Sequence, residues 1–398
     1  MNNGNNDQRN IFERYPWRSL SCVVLAAVII LDLGSASIYR HWKGYSWSAR
    51  SWQGSKQYRS SSKVYHHDLR PLKAVPKAQW VNGEYSFYTN SLGFRDKSPR
   101  RVPLTTDHYR MVFIGDSFTE GLGVDYEATF VGLIDKALSK KGVEVLNAAV
   151  VSYSPIIYWK KMQYFIEKKK LKFDELVVFL DISDNQDEAC SYYLNKKEYV
   201  RMKEKSPMGF IHLEDRRYYL WESFCRFIED NTILGYLVLY KVFDIESREG
   251  QRYTYERAAW TFDDRVYQSY GKKGLGRMKK YMDKLDDLLK KNNIKLTVAV
   301  YPWPQQIQYD TVNSRQVTFW EKWCKQHQAQ FLNYFPSFLT GQTKQEKEEI
   351  IDRYFIKKDV HWNEQGHQKI AEEFLERYSA NEFDTSTAKQ GEKDLTNF

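Results

Sequence analysis

Apolar runs of strand length alternate with amphipathic stretches of helix length from Tyr109 onward. The apolar runs lie at 111–114, 143–146, 176–180, 295–301 and 331–335. The amphipathic stretches lie at 129–140, 155–169, 275–291, 315–328 and 364–377. Strands that alternate with helices form a parallel sheet covered on both faces. The pattern therefore predicts an α/β fold with a doubly wound, mostly parallel five-stranded sheet, similar in plan to a flavodoxin.

Residues 186–273 interrupt this alternation with Lys-rich polar stretches and many aromatic residues. The aromatics include Tyr218, Tyr219, Trp221, Phe224, Phe227, Tyr236, Tyr240 and Phe243. Because the last three are spaced as on a helix, we predict a helical, aromatic-rich insertion. Its aromatic faces either pack on each other and on the sheet, or form a lid or a wall that contacts sugars.

An apolar run from Leu20 to Leu31 follows a polar, Arg-containing start. Its twelve residues fit the core of a signal peptide, and the small residues at 34–36 resemble a cleavage site. Alternatively, Ser19 to Tyr39 forms an uncleaved span with Asp32 near its edge. Basic residues lie on both sides, so they do not fix the orientation. We expect a membrane-anchored protein whose large domain is extracytoplasmic, on the periplasmic side, with a cleaved secreted form as the alternative.

The remaining segments complete the predicted organisation. Residues 1–40 form the signal or anchor segment, and residues 41–105 show no long periodic element and are predicted to be an irregular extension. The α/β domain covers 106–380 and includes the insertion. The polar segment 381–398 is predicted to be a disordered tail.

Composition narrows the class of protein. Hydrophobic residues make up 42% and charged residues 28%, which is typical of a folded protein. The net charge of +9 is scattered and forms no basic stripe, so nucleic-acid binding is not expected. The aromatic fraction of 16% suits sugar faces and interfaces as well as cores. The four cysteines contain no C-x-x-C spacing, and a bridge between Cys190 and Cys225 is left open.

A serine stands where the first predicted strand meets a helix. The run 111–114 leads into Gly115-Asp116-Ser117, which puts Ser117 at the carboxyl end of a strand, where open α/β sheets bind ligands. The N–H groups of a helix N-terminus can stabilise an oxyanion formed when this serine attacks an acyl group. Ordinary helix capping by Asp116 or Ser117 would produce the same local pattern.

A second candidate, Asp359-Val360-His361, precedes the last helix. An acid two residues before a histidine can reach Nδ1 and leave Nε2 free to take a proton from a serine. Metal binding by His361 and His367 is a weaker alternative, since no third ligand lies nearby at helical spacing. We therefore expect neither a metal nor a cofactor.

Together the two motifs resemble the GDSL, or SGNH, hydrolase superfamily, over roughly residues 106–378. The resemblance implies that Ser117 is the nucleophile, His361 the general base and Asp359 the residue that orients it. It also implies an oxyanion site to which the backbone N–H of Ser117 contributes.

Two further blocks of the superfamily are altered here. After the second strand, the family carries a Gly whose N–H joins the oxyanion site, and this sequence has Ser152 at that place. The third block of the family, Gly-x-Asn-Asp, supplies an Asn side chain, and this sequence has Ser183 there. The resemblance thus implies Ser152 and Ser183 as the other two oxyanion donors, with the role of Ser183 in doubt.

The segment from Thr89 to Arg95 and the form Asp-x-His-Trp-Asn-x-x-Gly-His look like membrane-anchored SGNH proteins of bacterial polysaccharide O-acetylation systems. This implies a serine-dependent acyl ester hydrolase or O-acetyl transferase that acts on an exported, acylated glycan. A lipid esterase or thioesterase, and a non-catalytic glycan-binding or assembly subunit, are the alternatives. The pair His66-His67 has no assigned role, and Trp303 either lines the site or packs in a turn.

Overall fold

The chain forms two compact units in a computed structural model, which describes residues 10–44, 46–47, 54–80, 83–203, 216–242 and 253–380. One unit comprises residues 1–53 and 212–250, and the other comprises 54–211 and 251–398. The predicted tail, 381–398, lies outside the described residues. All four cysteines are free, so Cys190 and Cys225 do not form a bridge.

The larger unit is built on an eight-stranded sheet with the order β12-β11-β8-β6-β7-β5-β4-β3. The strands are β1 (Arg59–Ser62), β2 (His66–Leu69), β3 (Ala74–Trp80), β4 (Gly83–Thr89), β5 (Arg95–Asp96), β6 (Tyr109–Ile114), β7 (Val143–Asn147), β8 (Glu175–Leu180), β9 (Tyr192–Leu194), β10 (Val200–Met202), β11 (Lys295–Val300) and β12 (Gln330–Asn333). The five strands predicted from apolar runs are mutually parallel and adjacent. The predicted α/β fold with a mostly parallel five-stranded core is therefore confirmed.

Helices of the larger unit cover both faces of this sheet. In chain order, the helices of the two units are α1 (Ile11–Arg14), α2 (Pro16–Lys43), α3 (Ser117–Glu120), α4 (Phe130–Leu138), α5 (Pro155–Gln163), α6 (Asp184–Gln186), α7 (Arg216–Asn231), α8 (Leu234–Tyr236), α9 (Asp264–Val266), α10 (Lys272–Lys291), α11 (Pro304–Tyr309), α12 (Arg315–His327), α13 (Phe335–Phe338), α14 (Lys344–Tyr354) and α15 (Glu364–Ala380). Of these, α1, α2, α7 and α8 belong to the unit that comprises residues 1–53 and 212–250. From β6, the chain moves to β7 on one side, whereas the later connections, to β8, β11 and β12, move step by step towards the opposite edge of the sheet. Right-handed crossovers therefore place α4 on one face and α5 and α10 on the other. In agreement, α4 packs with α15 and α5 packs with α10.

The segment 41–105 is not irregular, in contrast to the prediction. It contains five short strands, of which β3, β4 and β5 extend the main sheet in antiparallel fashion beyond β7. Along β4, Tyr85, Phe87 and Thr89 are buried and alternate with more exposed residues, as expected for a strand with one face on the core. Residues 54–105 of the extension therefore belong to the same folded unit as the sheet of the predicted domain.

The insertion 186–273 is mainly helical, as predicted, and it also contains a two-stranded antiparallel pair of β9 with β10. π-helical turns follow α6, α8 and α9, at Asp187–Ser191, Leu237–Val242 and Tyr267–Gly271. Trp221 and Phe224 on α7 pack on each other, with ring centroids 5.7 Å apart, as one of the expectations has it, although the side chains of Trp221, Phe224 and Phe227 are exposed. Phe243 lies outside the described residues.

The N-terminal unit contains the apolar run as one 28-residue helix, α2. Its most apolar 18-residue window has a mean hydropathy of 2.2, and only 6% of that window is buried. A helix of this length and composition can cross a bilayer, although signal sequences near the N-terminus share these properties.

Candidate active site

The candidate nucleophile follows the carboxyl end of β6, whose last five residues are buried. Gly115 follows the strand, and a Cβ there would overlap Thr119 and approach the carbonyl oxygen of Phe179 to 3.0 Å, so only glycine fits. Asp116 then caps α3, because its Oδ1 accepts from the backbone N–H of Phe118 at 3.0 Å. Capping is thus the role of Asp116, and Ser117 is the first residue of the helix.

The candidate base lies in the loop between α14 and α15. The backbone N–H of Ile356 donates to the carbonyl oxygen of His361 at 2.8 Å, which closes the loop. Asn363 caps α15 as predicted, since its Oδ1 accepts from the backbone N–H of Gly366 at 3.0 Å. His361 is therefore held between a closed loop and a capped helix.

The structure brings Ser117, His361 and Asp359 together into one hydrogen-bonded chain. His361 Nε2 lies 2.8 Å from Ser117 Oγ, although the two residues are 244 positions apart. His361 Nδ1 lies 2.5 Å from Asp359 Oδ1. A serine, a base on its hydroxyl and an acid on the far nitrogen of that base form the arrangement used for acyl transfer.

Trp80, at the end of β3, completes the environment of the acid. Its indole Nε1 donates to Asp359 Oδ2 at 2.9 Å, and its ring meets the His361 ring edge-on with centroids 5.4 Å apart. Sequence reasoning missed this residue, because Trp80 lies in the extension and no local pattern connects it with residue 359. The extension therefore contributes directly to the candidate site.

The charges around His361 favour its protonated form. Burial alone would lower the pKa of His361, but Asp359, Asp116 and Asp181 raise it above the ordinary value of 6.5. Burial also disfavours ionised Asp359, yet the charge and hydrogen bonds of His361 lower the pKa of that carboxyl to about 2. An ionised Asp359 is thus able to stabilise the imidazolium that forms when His361 takes a proton.

Three buried acids lie beneath the nucleophile, namely Asp116, Asp181 and Asp184. In the described part of the chain they are the one group of three side chains with metal-ligand geometry. Asp181 Oδ2 accepts from the Tyr301 hydroxyl at 2.8 Å and from Trp303 Nε1 at 2.6 Å. Burial and the charge of Asp181 raise the pKa of Asp116 to about 8 and that of Asp184 well above 3.8. Neutral donors thus hold the Asp181 carboxylate, whereas burial favours the neutral form of Asp116 and Asp184.

Trp303 was expected either to line the site or to pack in a turn. It is buried, and its indole N–H donates to Asp181 Oδ2.

His367 does not join His361 in a metal site, because its Nδ1 accepts from the backbone N–H of Phe130 at 3.2 Å. Burial lowers the pKa of His367 to about 3, which agrees with its role as a neutral acceptor. His367 thus fixes the start of α4.

The three predicted oxyanion donors lie on the loops that follow β6, β7 and β8. Within the described residues, no group accepts from the backbone N–H of Ser117 or Ser152. Ser152 has φ of 61°, the left-handed conformation that a glycine adopts without strain. The backbone N–H of Ser183 donates to Asp181 Oδ1 at 2.8 Å, and its hydroxyl does not cap α6.

The peptide that joins Val151 to Ser152 is held from the side opposite its N–H. His67 Nε2 lies 2.7 Å from the carbonyl oxygen of Val151, and since a carbonyl only accepts, this nitrogen carries the proton. In a trans peptide, the C=O of Val151 and the N–H of Ser152 point in opposite directions. His67 therefore fixes the direction of the Ser152 N–H.

His66 determines which nitrogen of His67 carries its proton. The two Nδ1 atoms lie 2.7 Å apart, so His67 Nδ1 accepts while His66 Nδ1 donates. Burial lowers the pKa of His67 to about 3, which keeps its ring neutral. The pair that had no assigned role in the sequence thus supports the loop of a predicted oxyanion donor.

Two arginines of the extension, Arg59 and Arg95, bind the same loops. Glu120, in the block that contains the nucleophile, accepts from the backbone N–H of Val151 at 2.6 Å. Both of its oxygens pair with Arg59, at 2.6 and 3.1 Å. The buried guanidinium of Arg95 donates to the carbonyl oxygens of Glu120, Gly121 and Val124. Arg95 therefore clamps the loop after α3, which gives a structural role to the segment from Thr89 to Arg95.

Comparisons with known proteins return matches in solved structures alone. No family model matches the sequence, and no curated protein matches it. TesA matches with 9% identity and a TM-score of 0.37, over 67% of this chain and 96% of its own. The acetyl xylan esterase AlAXEase matches with 13% identity and a TM-score of 0.38, over 67% and 98%. A GDSL-like lipase from Bacteroides thetaiotaomicron matches with 11% identity and a TM-score of 0.34, over 69% and 91%. Solved GDSL-type hydrolases are thus among the structures that this chain resembles.

Proposed function

We propose that this protein is a serine-dependent acyl ester hydrolase or O-acyl transferase, with Ser117 as nucleophile, His361 as general base and Asp359 as the residue that orients the base. The observation that supports this most directly is the continuous chain from Ser117 Oγ through His361 to Asp359, with links of 2.8 and 2.5 Å. A serine that merely packs in a turn has no need of an imidazole nitrogen aimed at its hydroxyl.

The reaction follows from this geometry. Ser117 Oγ attacks the acyl carbon while His361 Nε2 takes the hydroxyl proton, and His361 then gives that proton to the departing alkoxide. The oxyanion lies against the N–H groups of Ser117 and Ser152. In the second half, His361 takes a proton from water or from another hydroxyl, which attacks the acyl-enzyme, and His361 then returns the proton to Ser117 Oγ as the serine departs. Water gives a carboxylic acid and a hydroxyl of a sugar gives a transferred ester.

We infer an acetylated, exported glycan as the substrate. Two features support this: the resemblance of two segments to proteins of polysaccharide O-acetylation, and the N-terminal helix α2, whose length allows it to anchor the protein at a membrane. The catalytic unit would then act on the extracytoplasmic side. The segment from Thr89 to Arg95, which carries part of the resemblance, holds the loop of the nucleophile.

A direct test uses the full-length protein in detergent with an aryl acetate and a fluorophosphonate probe. We expect acetate release and a single adduct within the peptide from Gly115 to Gly121. Ser117→Ala should lose both signals, whereas Ser139→Ala, at an exposed serine, should keep both. An adduct on another residue, or no adduct on folded protein, would exclude Ser117 as nucleophile and favour a binding subunit. Comparing free acetate with acetyl transferred to an added oligosaccharide separates hydrolase from transferase.

A further inference from the structure

The helical part of the N-terminal unit carries two apolar faces in addition to α2. On α7, Leu220, Trp221, Phe224 and Phe227 are exposed, with spacings of one, three and three residues. In the following helical residues, Leu234, Val238 and Val242 are exposed at intervals of four. Such spacings place the residues of each set on one side of its helix. Contiguous exposed apolar faces of this kind mark surfaces that contact a partner or a membrane.

Asp32 connects this segment to the middle of α2. Its carboxylate accepts from the backbone N–H groups of Ile233, Leu234 and Gly235, at 2.8, 2.8 and 2.9 Å. These groups belong to the first turn of α8, which has no helical acceptors for them. The start of α8 therefore lies at the level of Asp32 along α2.

Arg40 makes a second contact two turns further along α2. Its Nη1 donates to the carbonyl oxygen of Asp230 at 3.5 Å and to Asn231 Oδ1 at 3.2 Å, at the end of α7. Eight residues of α-helix correspond to about 12 Å, so the corner between α7 and α8 is fixed along this length of α2. The two contacts therefore determine where the corner between α7 and α8 lies along the apolar helix α2.

We propose that α7 and residues 234–242 form a second membrane contact, inserted among the lipid chains beside α2. This inference rests on the proposed role of α2 as an anchor. A lone carboxylate in the apolar region of a bilayer is costly, and so are unpaired backbone N–H groups. The contact of Asp32 with the start of α8 pairs the carboxylate with these N–H groups, which lowers both costs. It would also place Leu234 next to the apolar residues of α2. Lipid chains fit this position because all three helical segments expose large apolar side chains, among them Leu31 on α2, Phe224 on α7 and Val242.

Fluorescence quenching in proteoliposomes of phosphatidylcholine and phosphatidylglycerol tests the inference. Phe224→Cys and Val238→Cys, each in a Cys22→Ser background, are labelled with an NBD maleimide. The other cysteines are buried and should not react. Leu104→Cys, at an exposed position of the larger unit, is the matched control. The unchanged protein, labelled at Cys22 on α2, reports whether the anchor itself is inserted.

We expect doxyl-labelled lipid to quench the probes at 224 and 238 at least about threefold more than the probe at 104, with the reverse order for aqueous iodide. Asp32→Ala should expose the probe at 238 to iodide while the probe at Cys22 stays quenched by lipid. Quenching of the probes at 224 and 238 by iodide but not by doxyl-labelled lipid would overturn the inference. Quenching by neither reagent would also overturn it, because it would indicate that protein covers these positions. If lipid quenches the probe at Cys22 but not the probes at 224 and 238, only this inference fails. If lipid does not quench the probe at Cys22 either, the proposal that α2 is an anchor fails as well. Neither result bears on the esterase assay.

Discussion

The indole nitrogen of Trp80 lies 2.9 Å from Asp359 Oδ2, the carboxylate oxygen that His361 does not use. This contact joins the strand at the far edge of the sheet to the acid of the proposed triad. A carboxylate that must orient an imidazole loses precision if one of its oxygens is free to turn. In the proposed reaction, the indole N–H would act through Asp359, which gives Trp80 the role of a positioning residue in that proposal.

Replacing Trp80 by Phe keeps an aromatic ring and removes the donor. Because hydrogen bonds to charged groups contribute about 1.5 to 3 kcal/mol, we expect kcat for an aryl acetate to fall about tenfold or more. Trp323→Phe is a matched control, since Trp323 donates to Asp283 at 2.8 Å within a separate cluster. Equal losses of activity in both variants, or none in Trp80→Phe, would remove the positioning role.

Activity should rise with pH through the ionisation of His361, because only its neutral form accepts the proton of Ser117. The pKa of His361 is raised, so kcat/KM should reach half its maximum above pH 6.5. Asp359→Asn removes a negative charge that stabilises the imidazolium, so it should shift the midpoint to lower pH and also reduce the plateau strongly.

Asp116→Asn should shift the same midpoint downward by less than Asp359→Asn does, because a pKa of about 8 leaves the Asp116 carboxyl largely neutral near pH 7. It should keep much of the plateau, since Asn also caps helices well. The pH profile of kcat/KM for the two variants and the unchanged protein provides the measurement. A rate that does not change between about pH 5 and 8 would count against a histidine base.

His67→Ala removes the donor that fixes the peptide before Ser152. We expect kcat to fall by about tenfold to a hundredfold, as for the partial loss of one oxyanion donor. The midpoint of the pH profile should stay unchanged, because His361 and Asp359 are untouched. His327→Ala, whose ring pairs with Asp286 at 2.6 Å, serves as a control at a separate site. A shifted midpoint in His67→Ala would indicate a general distortion of the site.

The parallel core of the fold could be predicted because its strands are buried on both faces and appear as apolar runs, as in β8. The strands of the extension could not be predicted in this way. In β3, Pro76 falls where the pairing with β4 shifts register, and a proline normally argues against a strand. Helix α14 was also missed, because none of its residues is fully buried and its apolar residues are confined to its second half, at Ile350, Ile351 and Tyr354.

The candidate site likewise contains residues that could be predicted from the sequence and residues that could not. Ser117 and His361 were recognised because each lies in a local motif at the end of a strand or the start of a helix. Trp80, His67 and Arg59 were not, because their contacts join positions far apart in sequence and depend on how the extension folds against the domain. Sequence patterns thus pointed to the candidate nucleophile and base, and their supporting contacts required the tertiary structure.

Ser152→Gly tests whether the altered second block still supplies a backbone donor. The N–H is retained, so activity should stay within about twofold of the unchanged protein. A non-glycine residue in the left-handed conformation costs roughly 1 to 2 kcal/mol, partly offset by the flexibility of glycine, so the free energy of unfolding should be unchanged or rise by up to about 1 kcal/mol. Lys170→Gly, at a φ of 62° on another loop, is the matched control for stability. A large loss of activity in Ser152→Gly alone would show that the serine side chain itself takes part.

Ser183 is the remaining donor whose role is open, because an Asn amide reaches further than a hydroxyl. In the described part of the chain, no hydrogen bond occupies its hydroxyl, which is therefore able to donate directly or through a water. Ser183→Ala should reduce turnover at least about tenfold with an almost unchanged melting temperature, and Ser183→Asn should keep or increase aryl-acetate hydrolysis. Full activity in Ser183→Ala would contradict this role and point to Arg257 in the insertion. Its Nη2 donates to the carbonyl oxygen of Ser183 at 3.3 Å, and its buried Nε has no hydrogen-bond partner among the described residues.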